Sequence, residues 1–403
     1  MRFIDLEEYK TKPNVLLTSQ QRDQLSRLAP SISIAPSPGS NDHYDLTPDS
    51  VVGTVMLGDL QIIVHPKLTI ENVLFLVSYA LDLLDKKKPD PSTLGKSDSL
   101  VEAMIPSFLH HVKAATGRGL LRDYLSVEDS LNTVRGRILL GDQIARHHGR
   151  VPPIEVSFDE HTEDILENRL LATATDRLLR LGVHNSELRD SLRESRHMFS
   201  GVSRITEPAR EPEIHWTRLN GHYQPAVRLA TLILKNTGFD LQQGDAPAST
   251  FLVDMNQVFE GFVHTALREK LGLGEHAFPR GSQLCLDEAG SIRMHPDLSW
   301  WQGKQCRFIG DVKYKQTDDG MGKHADLYQL LAYVTAAGLD EGLLIYAAGE
   351  SEPATHEIPM AGKRLRVETL NLAATPEEIL GQVEQIANYI KHTAFDMSAI
   401  RVA

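Results

Sequence analysis

Two cysteines in 403 residues, Cys285 and Cys306, cannot build a four-thiolate zinc or iron–sulfur site, and their separation fits a reducing compartment. Long apolar runs are also missing. Nothing approaches the roughly 20 residues that span a bilayer, and the nearest candidate, "NVLFLVSYALDLL", is broken by polar residues at helical spacing and reads as an amphipathic core helix. The opening "MRFIDLEEYK" lacks the apolar segment and small-residue cleavage site of a secretory signal. The expectation is a cytoplasmic protein without a membrane segment. Positive charge is in deficit: 42 Lys and Arg stand against 54 Asp and Glu, a formal net charge of -12. Sequence-independent DNA binding rests on cations that neutralise phosphates, so any nucleic-acid contact must be local or shared with a partner. A nucleotide-binding loop is absent as well. The closest stretch, "DPSTLGKS", has Asp90 where GxxxxGK[ST] needs glycine, and no strand precedes it. Gly95, Lys96 and Ser97 therefore read as an ordinary loop, and no nucleotide is expected on this chain.

What is present is a globular composition, 41% hydrophobic and 24% charged. The length exceeds one ordinary core and suits two or three domains. No internal repeat is evident. A Ser/Pro/Gly-rich run, "APSPGSNDHYDLTPDS", precedes two strand-like stretches that meet at Gly58-Asp59, a hairpin signal opening a small β-containing module. Helical periodicity follows over about 70–84 and 99–115. A strand, a turn and a short strand over 133–139 lead into a helix start. From 160 to 192, Ile165, Leu166, Leu170, Leu171 and Leu178 fall at helical spacings, and further helix is predicted to about 238. Past the turn-rich "LQQGDAPAST" the composition shifts toward β-branched and aromatic residues. These shifts divide the chain into an N-terminal α/β region (1–120), a mainly helical middle (121–245) and a C-terminal α/β domain (246–403). The fold class expected is α+β, multidomain.

The C-terminal stretch carries the chemistry. In "MHPDLSWWQGKQCRFIGDVKYK" alternate residues of a strand face one way, so Asp311 and Lys313 share a face. Asp297 lies on the preceding strand-like run, and a turn at Gly303 folds the two into a hairpin on which both carboxylates converge. Two close carboxylates repel unless a cation separates them, and hard oxygen ligands suit Mg2+, or Mn2+ in its place. A lysine beside them can orient the attacking water and balance charge on a phosphate. That is phosphodiester hydrolysis. Taken alone, Asp311 and Lys313 also fit a surface cross-pair on an edge strand, and Asp297 after Pro296 fits a turn; their order along the chain favours the site. Glu260 borders the apolar stripe of the helix "VDMNQVFEGFVHTALREKLG" and reads either as an inward acid or as a boundary carboxylate. Gln329 and Tyr333, at i and i+4 in "DLYQLLAY", share one helix face. Trp300-Trp301 reads as one ring inward and one outward. His110-His111 and His147-His148 lack ligand spacing and read as surface or cap residues.

This set, Glu260, Asp297, Asp311-Val-Lys313 and Gln329-x-x-x-Tyr333, resembles the PD-(D/E)XK nuclease superfamily in its RecB-like form. The resemblance implies an α-β-β-β-α-β, restriction-endonuclease-like core. It also implies metal ligation by Asp297 and Asp311, with Glu260 as a supporting acid counted among the metal residues, a catalytic Lys313, and Gln329 and Tyr333 beside the DNA or the site. More specifically, "FLVDMNQVFEGFV" and "GDVKYK…ADLYQLLAY", with "NTVRGRILLGDQI" and "DEHTEDILENRLL" upstream, resemble the McrC family, nuclease subunits of McrBC-type modification-dependent restriction systems. The likeness runs from about Leu120 to Tyr346, and the hairpin near 51–66 also fits; residues 1–45 match nothing in it. The family implies an Mg2+-dependent endonuclease acting on double-stranded DNA with modified cytosine. Its partner would be an McrB-type AAA+ NTPase hexamer using GTP or ATP, stimulated by the N-terminal module docking into its pore, and complexes would pair through the nuclease domain. Two other readings stay open: a standalone RecB-like repair nuclease, and a non-catalytic activator of an AAA+ NTPase.

Overall fold

The computed structural model describes residues 2–39, 42–83, 99–205, 214–240, 247–315, 324–347 and 353–400. The stretch carrying Asp90 and Gly95-Lys96-Ser97 lies outside them. In chain order the elements begin with β1 (Arg2–Glu7), β2 (Lys12–Leu16), α1 (Ser19–Leu28), β3 (Ile32–Pro36), β4 (His43–Pro48), β5 (Val51–Leu57), β6 (Leu60–His65) and α2 (Ile70–Ala80). Next come α3 (Leu100–Thr116), β7 (Asp123–Leu131), β8 (Arg137–Ile138), α4 (Leu140–His147), β9 (Ile154–Thr162), α5 (Leu166–Arg180), α6 (Ser186–Met198) and α7 (Gln224–Lys235). The chain continues through β10 (Thr237–Asp240), β11 (Ala248–Asp254), α8 (Met255–Leu271), β12 (Leu284–Cys285), β13 (Arg293–Met294), β14 (Leu298–Gln302) and β15 (Gln305–Lys313). It closes with α9 (His324–Ala336), β16 (Glu341–Tyr346), β17 (Ala354–Ile358), β18 (Lys363–Thr369) and α10 (Pro376–Ile400). Among the described residues no helix is long and apolar enough to cross a membrane.

Two compact units result: residues 1–103 together with 238–403, and residues 104–237. The N-terminal stretch thus folds with the C-terminal one. Sequence reading drew a boundary near 245, yet β11 lies in the five-stranded sheet β1-β6-β5-β11-β10, paired along its whole length with β5. The hairpin expected at Gly58-Asp59 joins β5 to β6, with Leu57 opposite Leu60. Residues 1–45, which no motif placed, supply β1, parallel to β6, and the three-stranded sheet β2-β4-β3. Leu6, Leu17, Leu25, Leu46, Leu60 and Ile62 form one buried core beneath these strands. In the 104–237 unit the expected strand and short strand are β7 and β8, and β9, which was not expected, joins them into the sheet β7-β9-β8. Sequence reading began a helix at Glu160, but β9 runs to Thr162 and the helix starts only at Leu166. Cross-strand pairing of β9 with all of β7 outweighs the local helical spacing there. Glu155 of β9 is buried and accepts from His147 at 2.7 Å and Arg146 at 3.0 Å, while His148 ends α4 in a left-handed conformation. Both histidines are structural.

The strands that carry Asp311 and Lys313 and follow Asp297 belong to the sheet β14-β15-β16-β18-β17. β14 and β15 are antiparallel across the Gly303 turn, where φ is +62°, and β15, β16 and β18 run parallel. Helix α8 begins where Asp254 accepts the Asn256 N–H at 2.9 Å and stops at Gly272 in the left-handed region. Its residues Phe259, Phe262, Val263, Ala266 and Leu267 are buried. A second core, built on Ile309, Leu330, Val334, Leu344, Tyr346 and Val367, seats α9 on the sheet. The edge strand β17 was not read from sequence, because its half-exposed alternation carries little apolar signal.

Candidate active site

The hairpin does what its spacing predicts. Leu298 pairs with Gly310, which sets Asp297, just before β14, against the end of β15. The Val312 backbone N–H donates to Asp297 Oδ2 at 2.9 Å. Asp311 is 1% exposed, and its Oδ1 has no hydrogen-bond partner among the described residues. Lys313 Nζ stands 2.6 Å from Asp311 Oδ2 as an ion pair. A buried carboxylate left this way is costly unless a further positive group completes it.

The electrostatics agree. Burial, then the Asp297 charge, pushes the Asp311 carboxyl up to about 7. Asp297 is raised by burial and by Glu260. Glu260 belongs to an exposed residue, but protein around its carboxyl removes enough water that desolvation, followed by the Asp311 charge, raises it too. Three acids each lifted by burial and by another acid mark a site short of positive charge. For Lys313, burial is the largest influence and would lower the ammonium, but Asp311, by charge and contact, together with the Asp297 and Asp326 charges outweighs it, and the net shift is upward. The amine stays protonated beside the pair.

Gln329 Nε2 donates to the Tyr333 hydroxyl at 2.6 Å, and Tyr333 donates to the His295 carbonyl at 3.3 Å, bracing the chain two residues before Asp297. Burial and then the Asp311 charge raise the Tyr333 hydroxyl, so this ring borders the acidic pair. All six residues singled out from sequence therefore gather around the end of β15. Sequence reasoning missed Asp326, Tyr346 and Lys315. Asp326, 5% exposed in the first turn of α9, accepts from Tyr346 Oη at 2.7 Å and pairs with Lys315 Nζ at 3.3 Å. Its signal was available: Asp326 lies one turn before Gln329 in "DLYQ", but an acid in a first helical turn also reads as a dipole partner.

Among the described residues no three His, Cys, Asp or Glu side chains are arranged to hold a metal ion. Asp297 and Asp311 are the two carboxylates that lie together, with Glu260 to the side. One or two carboxylates with water and substrate oxygens are a usual Mg2+ environment, so the pair and its unpartnered oxygen fit that ion. Other candidates fall away. Burial pushes the Cys306 thiol up to about 11. Trp300 and Trp301 are both half-buried, because a register shift between them breaks the expected in-out alternation. Arg135 stacks on Phe158 at 3.9 Å, and Gly136 at φ +71° sits where a Cβ would meet Ser157 O, so that stretch is a packed turn. A cavity of about 360 Å3 between β16 and α10 opens at the Arg307 end of β15, away from the carboxylates.

A model of the family described as McrBC 5-methylcytosine restriction system component matches residues 46–347. The type IV methyl-directed restriction enzyme EcoKMcrBC of Escherichia coli K12 is 23% identical over 310 residues, covering 70% of this chain and 86% of that protein. Among solved structures, a chain of the half-complex from the tetradecameric assembly of Thermococcus gammatolerans McrB AAA+ hexamers with bound McrC superposes with a TM-score of 0.57. It is 19% identical and covers 96% of this chain and 100% of its own. A chain of the Thermococcus gammatolerans McrBC complex aligns with a TM-score of 0.40 at 21% identity, over 67% of this chain and 88% of its own. With a family model spanning most of its length, the chain belongs to the McrBC restriction system component family.

Proposed function

We propose that this protein is the nuclease subunit of a modification-dependent restriction complex, hydrolysing DNA phosphodiester bonds with Mg2+ when driven by a partner AAA+ NTPase. The observation that carries the reading is Asp311: a buried carboxylate set beside Asp297, with Lys313 Nζ 2.6 Å away. The succession of α8, the strands β12 to β15, α9 and β16 supports a PD-(D/E)XK core. Asp297 and Asp311 would hold Mg2+, or Mn2+ in its place, and the ion would supply positive charge at the scissile phosphate. Glu260 adds negative charge at the open side. Lys313 Nζ orients the attacking water and offsets charge developing on phosphate oxygens. Gln329 and Tyr333 fix the Asp297 segment and border the path of the DNA.

Double-stranded DNA with modified cytosine is the substrate this reading assigns, with an McrB-type hexamer using GTP or ATP as motor and complexes pairing through the nuclease domain. The relatives named above support that assembly, and the net charge of -12 supports leaving most of the DNA grip to the partner. Lys313→Ala is expected to lower cleavage by on the order of a hundredfold or more, while NTP hydrolysis by the assembled partner stays at the parental rate. Cutting at the parental rate by this variant would sink the assignment. Calorimetric titration of Mn2+ checks the ligands directly: the parent chain should bind it, and Asp297→Asn and Asp311→Asn should not.

A further inference from the structure

We propose that Glu8 and Tyr9 are positioning residues of the nuclease site, holding Tyr314 and thereby the Lys313 end of β15; this rests on the function proposed above. The ladder that locks β15 stops at Lys313, which pairs with Tyr346, and β14 has already ended its pairing at Gly310. Beyond that point the backbone needs other anchors. Lys313 O accepts from Ala347 N at 3.1 Å and Lys315 N at 2.9 Å. The next residue is held from the N-terminal end of the chain. Tyr9 Oη donates to Tyr314 O at 3.3 Å, and Tyr314 Oη reaches Glu8 Oε1 at 3.5 Å. Tyr314 is 6% exposed, with its ring 6.0 Å from Phe259 of α8, the helix that carries Glu260.

Two costly features converge on this contact. Glu8 is fully buried, takes the Lys67 N–H on Oε1 at 3.2 Å, and leaves Oε2 with no hydrogen-bond partner among the described residues. Burial pushes its carboxyl up to about 7. Tyr9, though not glycine, sits at φ +59°, its N–H bound to Pro48 O at 3.0 Å and its ring under Lys67 Nζ at 4.5 Å. An apolar residue in place of Glu8 and a glycine in place of Tyr9 would satisfy packing and backbone better. Strain and unsatisfied polar groups that persist beside a reactive side chain point to a positional task. That task is to aim Lys313, one residue from the anchored Tyr314, at the carboxylate pair.

The test uses the full chain assembled with its AAA+ partner, under single-turnover conditions with saturating enzyme and Mg2+. Tyr9→Phe keeps the ring and removes only the hydroxyl; Glu8→Gln keeps the shape and removes the acid. Each is expected to slow cleavage about tenfold or more, with DNA Kd and partner NTP hydrolysis unchanged and Tm no lower than the parent's. A merely structural role would instead lower Tm and every readout together. Parental cleavage rates in Tyr9→Phe, or losses that only track Tm, would overturn the assignment, and Tyr9→Phe carries the test if Glu8→Gln does not fold. Failure of the unaltered assembly to cut would overturn the nuclease reading itself and this inference with it.

Discussion

Replacing Asp311 by asparagine is expected to abolish DNA cleavage and, in the absence of divalent metal, to stabilise the fold above neutral pH. Both effects come from one fact. Asp311 is a buried carboxylate pushed up to about 7, against an ordinary value of 3.8. Between those values the folded chain holds a proton that the unfolded chain has released, so stability falls as pH rises through that window. Asparagine removes the acid and with it the penalty. The gain should be full above about pH 7 and should vanish near pH 4. Its size, at about 1.4 kcal/mol for each tenfold difference in proton affinity between the folded and unfolded chain, is on the order of a few kcal/mol, shared with Asp297 because the two titrate together. Melting temperatures at pH 5 and pH 8 in EDTA check this. Added Mg2+ should reverse the order by stabilising the parent alone. A variant less stable than its parent at pH 8 in EDTA would mean that the Lys313 ammonium, 2.6 Å away, already compensates the buried Asp311 charge.

A second large effect is expected far from the carboxylates. Gly53 in β5 sits at φ +140°, and a Cβ placed on it would lie 2.0 Å from Phe251 O. Phe251 is fully buried in β11, and Gly53 pairs directly with Leu252, so neither strand can retreat without breaking the ladder. Gly53→Ala combines a conformation that L residues rarely adopt with a backbone overlap, and about 3–5 kcal/mol of destabilisation follows. Gly303→Ala is the contrast: its φ is +62°, with nothing within 4 Å of the added Cβ, so only about 1 kcal/mol is expected. Because β11 runs straight into α8, loss at Gly53 should also displace Glu260 and lower cleavage. Chemical denaturation of the two variants separates the cases. Equal, small effects would show that the β5–β11 ladder does not limit stability.

How much of this was written in the sequence depends on the range of the interaction. The β14–β15 hairpin and the Asp297, Asp311 and Lys313 cluster follow from alternation and one turn, and both were legible. Contacts between distant parts were not. Nothing local announces that β1 pairs with β6, that β11 completes a sheet begun at residue 2, or that Glu8 meets Tyr314 across some three-quarters of the chain. β9 was hidden because its last residues run into a helical pattern, and only its partner β7 decides their state. Asp326 was visible as a residue but not as a function, since its importance lies in reaching Lys315 and Tyr346. The Trp300–Trp301 pair misled for a physical reason: a bulge cancels the alternation on which the reading relied.

The most direct measurement is cleavage of methylated and unmethylated plasmid DNA in Mg2+, by this chain alone and with an McrB-type AAA+ protein and NTP, beside the Lys313→Ala variant. The account predicts cutting of methylated plasmid only when partner and NTP are both present, and none with the variant. Cutting by the chain alone, indifferent to NTP and methylation, or undiminished cutting by Lys313→Ala, would contradict it.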